Sequence, residues 1–143
     1  MSVVNPYKLP DVLPSFLPKV LSYWMELRRG QAKIPFADDI SRTALSDCEN
    51  DLVLIDVFNK PFRYRFGLVG AQIAEAYGSD IAGIFLDELD PRPPLDLVHS
   101  QASAAAEMCE PSFYKTKTYA RLMLPAWGDG HVSALLGAIA AAE

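Results

Sequence analysis

Cysteine is scarce in this 143-residue chain: Cys48 and Cys109 stand far apart, and neither belongs to a Cys-x-x-Cys pair or a Cys/His cluster. That excludes a disulfide-dense secreted scaffold and a structural zinc centre, and it fits a reducing compartment. Long apolar runs are missing too. The longest, Ala134 to Ala142, is about half of what a membrane helix needs, and the N-terminus lacks the basic flank and apolar run of a secretory signal. A cytoplasmic protein with no membrane partner is the expectation. No glycine-rich phosphate cradle and no Gly-x-Ser-x-Gly elbow occurs, and neither cysteine has a histidine nearby in sequence. Nucleophilic catalysis therefore has little support. Basic side chains are short in the second half. Residues 1–70 hold nine basic and eight acidic side chains, whereas 71–143 hold four and ten, so the net charge of −5 resides in the second half. Such a balance repels phosphate backbones and argues against nucleic acid as a partner.

What is present describes one folded domain. Half of the residues are hydrophobic and 22% charged, which excludes a largely disordered chain. Prolines at 6, 10, 14 and 18 make residues 1–17 an extended arm. Its apolar Val12, Leu13, Phe16 and Leu17 favour packing onto the domain over a proline-motif ligand, whose three-residue period the spacing misses.

From Pro18 to Arg29 the pattern is an amphipathic helix, with Val20, Trp24 and Leu27 in one stripe and Leu21 and Met25 widening it. Pro18 suits its start and Gly30 a C-terminal cap. Residues 31–51 read as irregular, with a helical turn near Asp39 to Leu45. A hairpin follows: β-rich Leu52 to Phe58, a turn at Asn59-Lys60-Pro61, then Phe62-Arg63-Tyr64-Arg65-Phe66 with aromatics on one face and arginines on the other. Short helices are expected over Gly70–Tyr77 and Ile84–Leu89, and a longer one opens at Pro91–Pro94 and runs to about Met108. Three strands end the chain, near 112–118, 120–127 and 131–140, the last two joined by Gly128-Asp129-Gly130. Two strands before and three after a helical insert predict an α+β domain: a five-stranded antiparallel sheet with helices on one face and an N-terminal amphipathic helix.

That order resembles PAS domains. Tyr23-Trp24-Met25-Glu26-Leu27-Arg28-Arg29-Gly30, Leu54-Ile55-Asp56-Val57, Phe62-Arg63-Tyr64-Arg65 and Tyr77-Gly78-Ser79-Asp80-Ile81-Ala82-Gly83 are similar to motifs of a divergent bacterial single-domain PAS family, and Arg121-Leu122-Met123-Leu124-Pro125 and Leu135-Leu136-Gly137-Ala138 complete the likeness. It spans residues 18 to about 140. The resemblance implies a sensor or interaction domain with a small-ligand pocket between sheet and helices, and dimerisation through the N-terminal helix.

Pocket candidates are Tyr64, Phe66, Ile73, Tyr77, Val98, His99 and Ala102; the same residues describe either an open pocket or a filled core. Candidates for a dimer helix are Val20, Leu21, Trp24, Met25 and Leu27. His99 is the one candidate for a haem ligand, because PAS domains that bind haem use a helical histidine. Flavin photochemistry is disfavoured by the missing Asn-Cys motif, and the cofactor is left unassigned. Asp87, Glu88 and Asp90 lack calcium-loop spacing. The expected function is a non-enzymatic sensor or interaction module acting in trans, as a homodimer or on a protein partner. The alternatives are a structural adaptor with a filled core, and a small cone-shaped α+β enzyme drawing on Tyr64, Tyr77, Asp56 and His99.

Overall fold

The computed structural model describes residues 7–41 and 43–142. Its strands are β1 (Leu52–Phe58), β2 (Arg63–Val69), β3 (Ser112–Lys115), β4 (Tyr119–Gly128) and β5 (His131–Ala141), all antiparallel and ordered β2-β1-β5-β4-β3. The three α-helices are α1 (Leu17–Glu26), α2 (Ala71–Tyr77) and α3 (Val98–Met108). The α+β class and the five-stranded antiparallel sheet agree with expectation. The last strand of the chain lies at the centre, between β1 and β4, so the hairpin and the C-terminal strands form one sheet around β5.

Central β4 does not alternate: Tyr119 through Ala126 are all buried. An antiparallel strand with one wet face would read apolar-polar, so both faces of the sheet must be covered. Register places Ile55, Val57, Tyr64, Phe66, Arg121, Met123, Leu135 and Ile139 on one face, where α3 packs and Gln101 meets Arg121. Leu52, Leu54, Leu122, Leu124, Leu136 and Ala138 point the other way. That second face lies under the N-terminal half: α1 packs on β4 and β5, the turn at Glu49–Asp51 touches β5, and an ion pair between Lys19 and Asp47 ties α1 to the same segment.

Helix α1 starts one residue earlier than expected, with Pro18 near its start, and ends at Glu26. Gly30 is therefore not its cap, and Arg28 and Arg29 lie beyond it. Trp24 explains the register. Its Nε1–H donates to the carbonyl of Pro125 at 2.8 Å, at a point where β3, whose pairing with β4 stops at Met123, no longer covers the edge. Proline in β4 is tolerated for the same reason, since no neighbouring strand there needs its N–H. Residues 35–36 take over that edge, the carbonyl of Pro35 accepting the Trp127 N–H at 2.8 Å.

Helix α2 closes on Gly78 at φ +102°, the left-handed cap its sequence announces. Ile84–Leu89 shortens to a 3-10 turn at Leu86–Glu88, and Pro91 to Leu97 is not helical, so α3 begins at Val98 rather than after Pro94. In the arm, Leu13 and Leu17 are buried and Phe16 is half-buried, while Val12 is exposed. Tyr7 docks between α3 and β3, donating to Ser100 Oγ at 2.7 Å while its carbonyl accepts the Phe113 N–H. The first six residues of the arm lie outside the described ones.

Candidate functional site

The space between α3 and the sheet is where the sequence places a ligand. Tyr64, Phe66, Ile73, Tyr77, Val98 and Ala102 are all buried. They belong to one continuous apolar core. His99 departs from the set: it is exposed at the start of α3, its ring edge-on to Tyr64 at 5.5 Å between centroids. Tyr77 spends its hydroxyl on the carbonyl of Asp90 at 2.6 Å. Burial pushes the Tyr64 phenol up, opposed by a hydrogen bond with Ser103.

The polar centre of this interior is a group the sequence reading did not single out. Arg121 is fully buried. Its Nε–H donates to Gln101 Oε1 at 2.6 Å, Nη1 to the carbonyl of Pro94 and Nη2 to the carbonyl of Asp96, both at 2.8 Å. Gln101, itself buried, returns an amide N–H to the Arg121 carbonyl at 3.1 Å. The guanidinium also lies over the ring of Tyr114, 5.0 Å from its centroid. Burial pushes Arg121 down to about 10, partly offset by the Asp96 carboxylate and the neighbouring tyrosines. Asp96 in turn accepts hydrogen bonds from Tyr119 and, at 3.4 Å, from Tyr114, whose phenol is pushed up by burial and then by Asp96. A buried charge is tolerated only when hydrogen-bonded in this way. The signal in the sequence was an arginine inside an otherwise apolar strand, with a glutamine on the apolar side of α3.

The remaining candidates are mostly engaged locally. Arg63 forms a two-point pair with Asp87 at 2.9 and 3.0 Å and lies 3.8 Å from the Phe85 ring centroid; it holds the Asp87 carboxyl below the usual carboxylate range. Arg65 pairs with Asp56 at 3.0 Å. Asp90 pairs with Arg92 at 2.8 Å. Among the described residues, no group of three or more His, Cys, Asp or Glu side chains is placed to hold a metal ion. Tyr64, Tyr77, Asp56 and His99 do not form one acid–base constellation, since Asp56 lies with Arg65 on the opposite face of the sheet from Tyr64. Burial pushes the Cys48 thiol up.

The dimer-helix candidates divide. Val20 and Trp24 are buried in their own chain, and Leu21 and Leu27 are half-buried. The wide apolar stripe of α1 thus serves mainly to cover the sheet. Met25 remains 44% exposed, and beyond it the loop through Ala32 leads to a shallow groove lined by Ile34, Phe36, Cys109 and Trp127. Phe36 is 43% and Trp127 37% exposed. An apolar surface built on two large aromatics is the kind that protein interfaces use. Arg29, paired with Asp39 at 2.7 Å and packed over Phe36, rims it. No family model, curated protein or solved structure matches the chain. No described helix is long and apolar enough to cross a membrane.

Proposed function

We propose that the chain is a PAS-like, non-enzymatic interaction module that works as a homodimer through the surface formed by Met25, Phe36 and Trp127. The sheet with two strands before and three after a helical insert supports the PAS-like reading. The observation that carries the interaction reading is how the apolar residues are distributed. Between α3 and the sheet Arg121, Gln101 and their apolar neighbours are buried, while Phe36 and Trp127 stand exposed on one apolar groove and Met25 is exposed on α1. Other exposed apolar side chains, such as Phe58, Phe62, Leu68 and Leu97, lie elsewhere. Burying a Trp and a Phe in a partner surface supplies the anchoring energy that interfaces concentrate in a few residues.

The dimer surface differs from the sequence expectation. Instead of the whole α1 stripe it uses Met25, at its margin, with Phe36 and Trp127 from the loop and the sheet. Light scattering across a concentration series tests the reading. The expected result is a mass approaching twice 15.7 kDa, returning to the monomer mass in Trp127→Asp and in Met25→Asp. A wild-type protein that stays monomeric at high concentration overturns the proposal, as does a dimer that both variants preserve.

A further inference from the structure

Strand β3 lies at one edge of the sheet, and an edge strand presents backbone groups that template another extended segment. Here the chain's own N-terminal arm lies on that edge. The Phe113 N–H points away from β4 and donates to the Tyr7 carbonyl at 2.7 Å. The Tyr7 side chain turns toward α3, where its hydroxyl donates to Ser100 Oγ at 2.7 Å. Its ring meets that of Tyr114 at 6.2 Å between centroids, tilted by 60°. Tyr7 is only 7% exposed in this seat. Tyr114 in turn lies beside Arg121 and donates to Asp96, so Tyr7 forms an outer wall of the buried polar centre.

The seat has the two parts that strand-addition sites use, an outward backbone donor and a pocket for a side chain. Ser100 and Tyr114 make the pocket selective, because together they match an aromatic ring that carries a hydroxyl. The chain that tethers this plug is held more loosely. Between Tyr7 and Leu13 only Leu9 is half-buried, while Lys8, Pro10, Asp11 and Val12 are exposed. Pro10 brings no N–H to bond. Ser15, where the arm joins α1, sits at φ +56°, a left-handed conformation that is uncommon for a residue other than glycine. A buried side chain on an exposed, strained tether is the kind of segment that opens without the rest of the domain.

We propose that the β3 edge is a strand-acceptor site for an extended, tyrosine-bearing segment of a partner protein, and that the arm through Tyr7 is a strap occupying it in cis. The strap defines the ligand: a carbonyl for the Phe113 N–H, a ring for Tyr114 and a hydroxyl for Ser100. A partner segment that supplies these three groups takes the place of the arm. The site does not use Met25, Phe36 or Trp127, so it stands or falls separately from the dimer.

Two-dimensional amide NMR with a synthetic peptide of residues 1–13 tests the assignment. In the full chain carrying Tyr7→Ala, the peptide should give saturable shifts on residues 98–101 and 112–115, with a Kd of about 1 mM or tighter. The wild-type chain should bind it about tenfold or more weakly, because its own tethered arm competes at millimolar effective concentration. A peptide carrying Tyr7→Phe should lose about three- to tenfold through the missing bond to Ser100. Shifts that do not saturate or that map elsewhere overturn the proposal, as does equal affinity for the wild-type and Tyr7→Ala chains. Hydrogen exchange on the wild-type chain decides even if the variant misfolds. The Phe113 amide should exchange at least about tenfold faster than those of Leu122 and Leu124 in β4, and equal protection would mean that the arm opens only with the whole domain. Nuclear Overhauser contacts from Tyr7 to Ser100 between differently labelled copies would place a second copy's arm in the seat and overturn the strap in cis.

Discussion

Gln101→Leu keeps roughly the volume of the side chain while removing both of its bonds to Arg121, the 2.6 Å acceptor for Nε and the 3.1 Å donor to the carbonyl. The guanidinium then keeps only the carbonyls of Pro94 and Asp96. A hydrogen bond to a charged group is worth about 1.5–3 kcal/mol, and leaving the buried guanidinium Nε–H without an acceptor costs about 1–3 kcal/mol more, while the Arg121 carbonyl stays within the β3–β4 pairing. The expected loss is therefore about 3–5 kcal/mol, a large part of the 5–15 kcal/mol that holds a typical domain together. Arg121→Met removes the charge but leaves Gln101 and two carbonyls without their donor, and a loss of about 3–5 kcal/mol is expected there as well. In the double variant the Gln101–Arg121 contact is lost only once. The two changes should fall short of additivity by about 1.5–3 kcal/mol. Urea unfolding followed by tryptophan fluorescence measures all four corners of this cycle. Additivity within about 0.5 kcal/mol, or a Gln101→Leu cost below about 1 kcal/mol, would refute the claim that these two residues form the polar centre of the interior.

Two further outcomes follow from the same packing. Trp24→Phe deletes the 2.8 Å bond to the Pro125 carbonyl and part of a buried ring, and should cost about 1–3 kcal/mol in urea unfolding; an unchanged midpoint would mean that Trp24 does not seal the edge of β4. Burial raises the Tyr64 phenol above its ordinary value, so the unfolded chain ionises first. The stabilisation is complete below about pH 10 and is lost as pH rises through the raised value. Tyr64→Phe should therefore lose stability less steeply than wild type as pH rises above about 10, Tyr114 supplying part of the remaining slope; equal slopes would contradict this.

Residues with a local cause were legible. Strand and helix types follow from alternation at Arg63–Phe66, from the α1 stripe, and from Gly78 and Gly130 at left-handed positions. Six of the seven pocket candidates are buried in the apolar core, because period-2 and period-3.6 patterns reveal which faces are apolar. Those patterns do not reveal what the faces touch. The stripe of α1 looked wide enough for a partner until the second face of the sheet claimed Val20 and Trp24. His99 looked like a border residue and proved to lie outside.

The sequence by itself determined the α+β class, the five strands and their order along the chain, since these rest on periodicity and on turn residues acting over a few positions. Only the tertiary structure decided that β5 lies between β1 and β4, that both faces of the sheet are covered, and that Arg121 and Gln101, 20 residues apart, satisfy each other. A one-dimensional pattern marks a side chain as apolar or polar. Whether it meets its own chain, a cavity or solvent depends on strand register and on where distant segments come to rest, which no local pattern encodes.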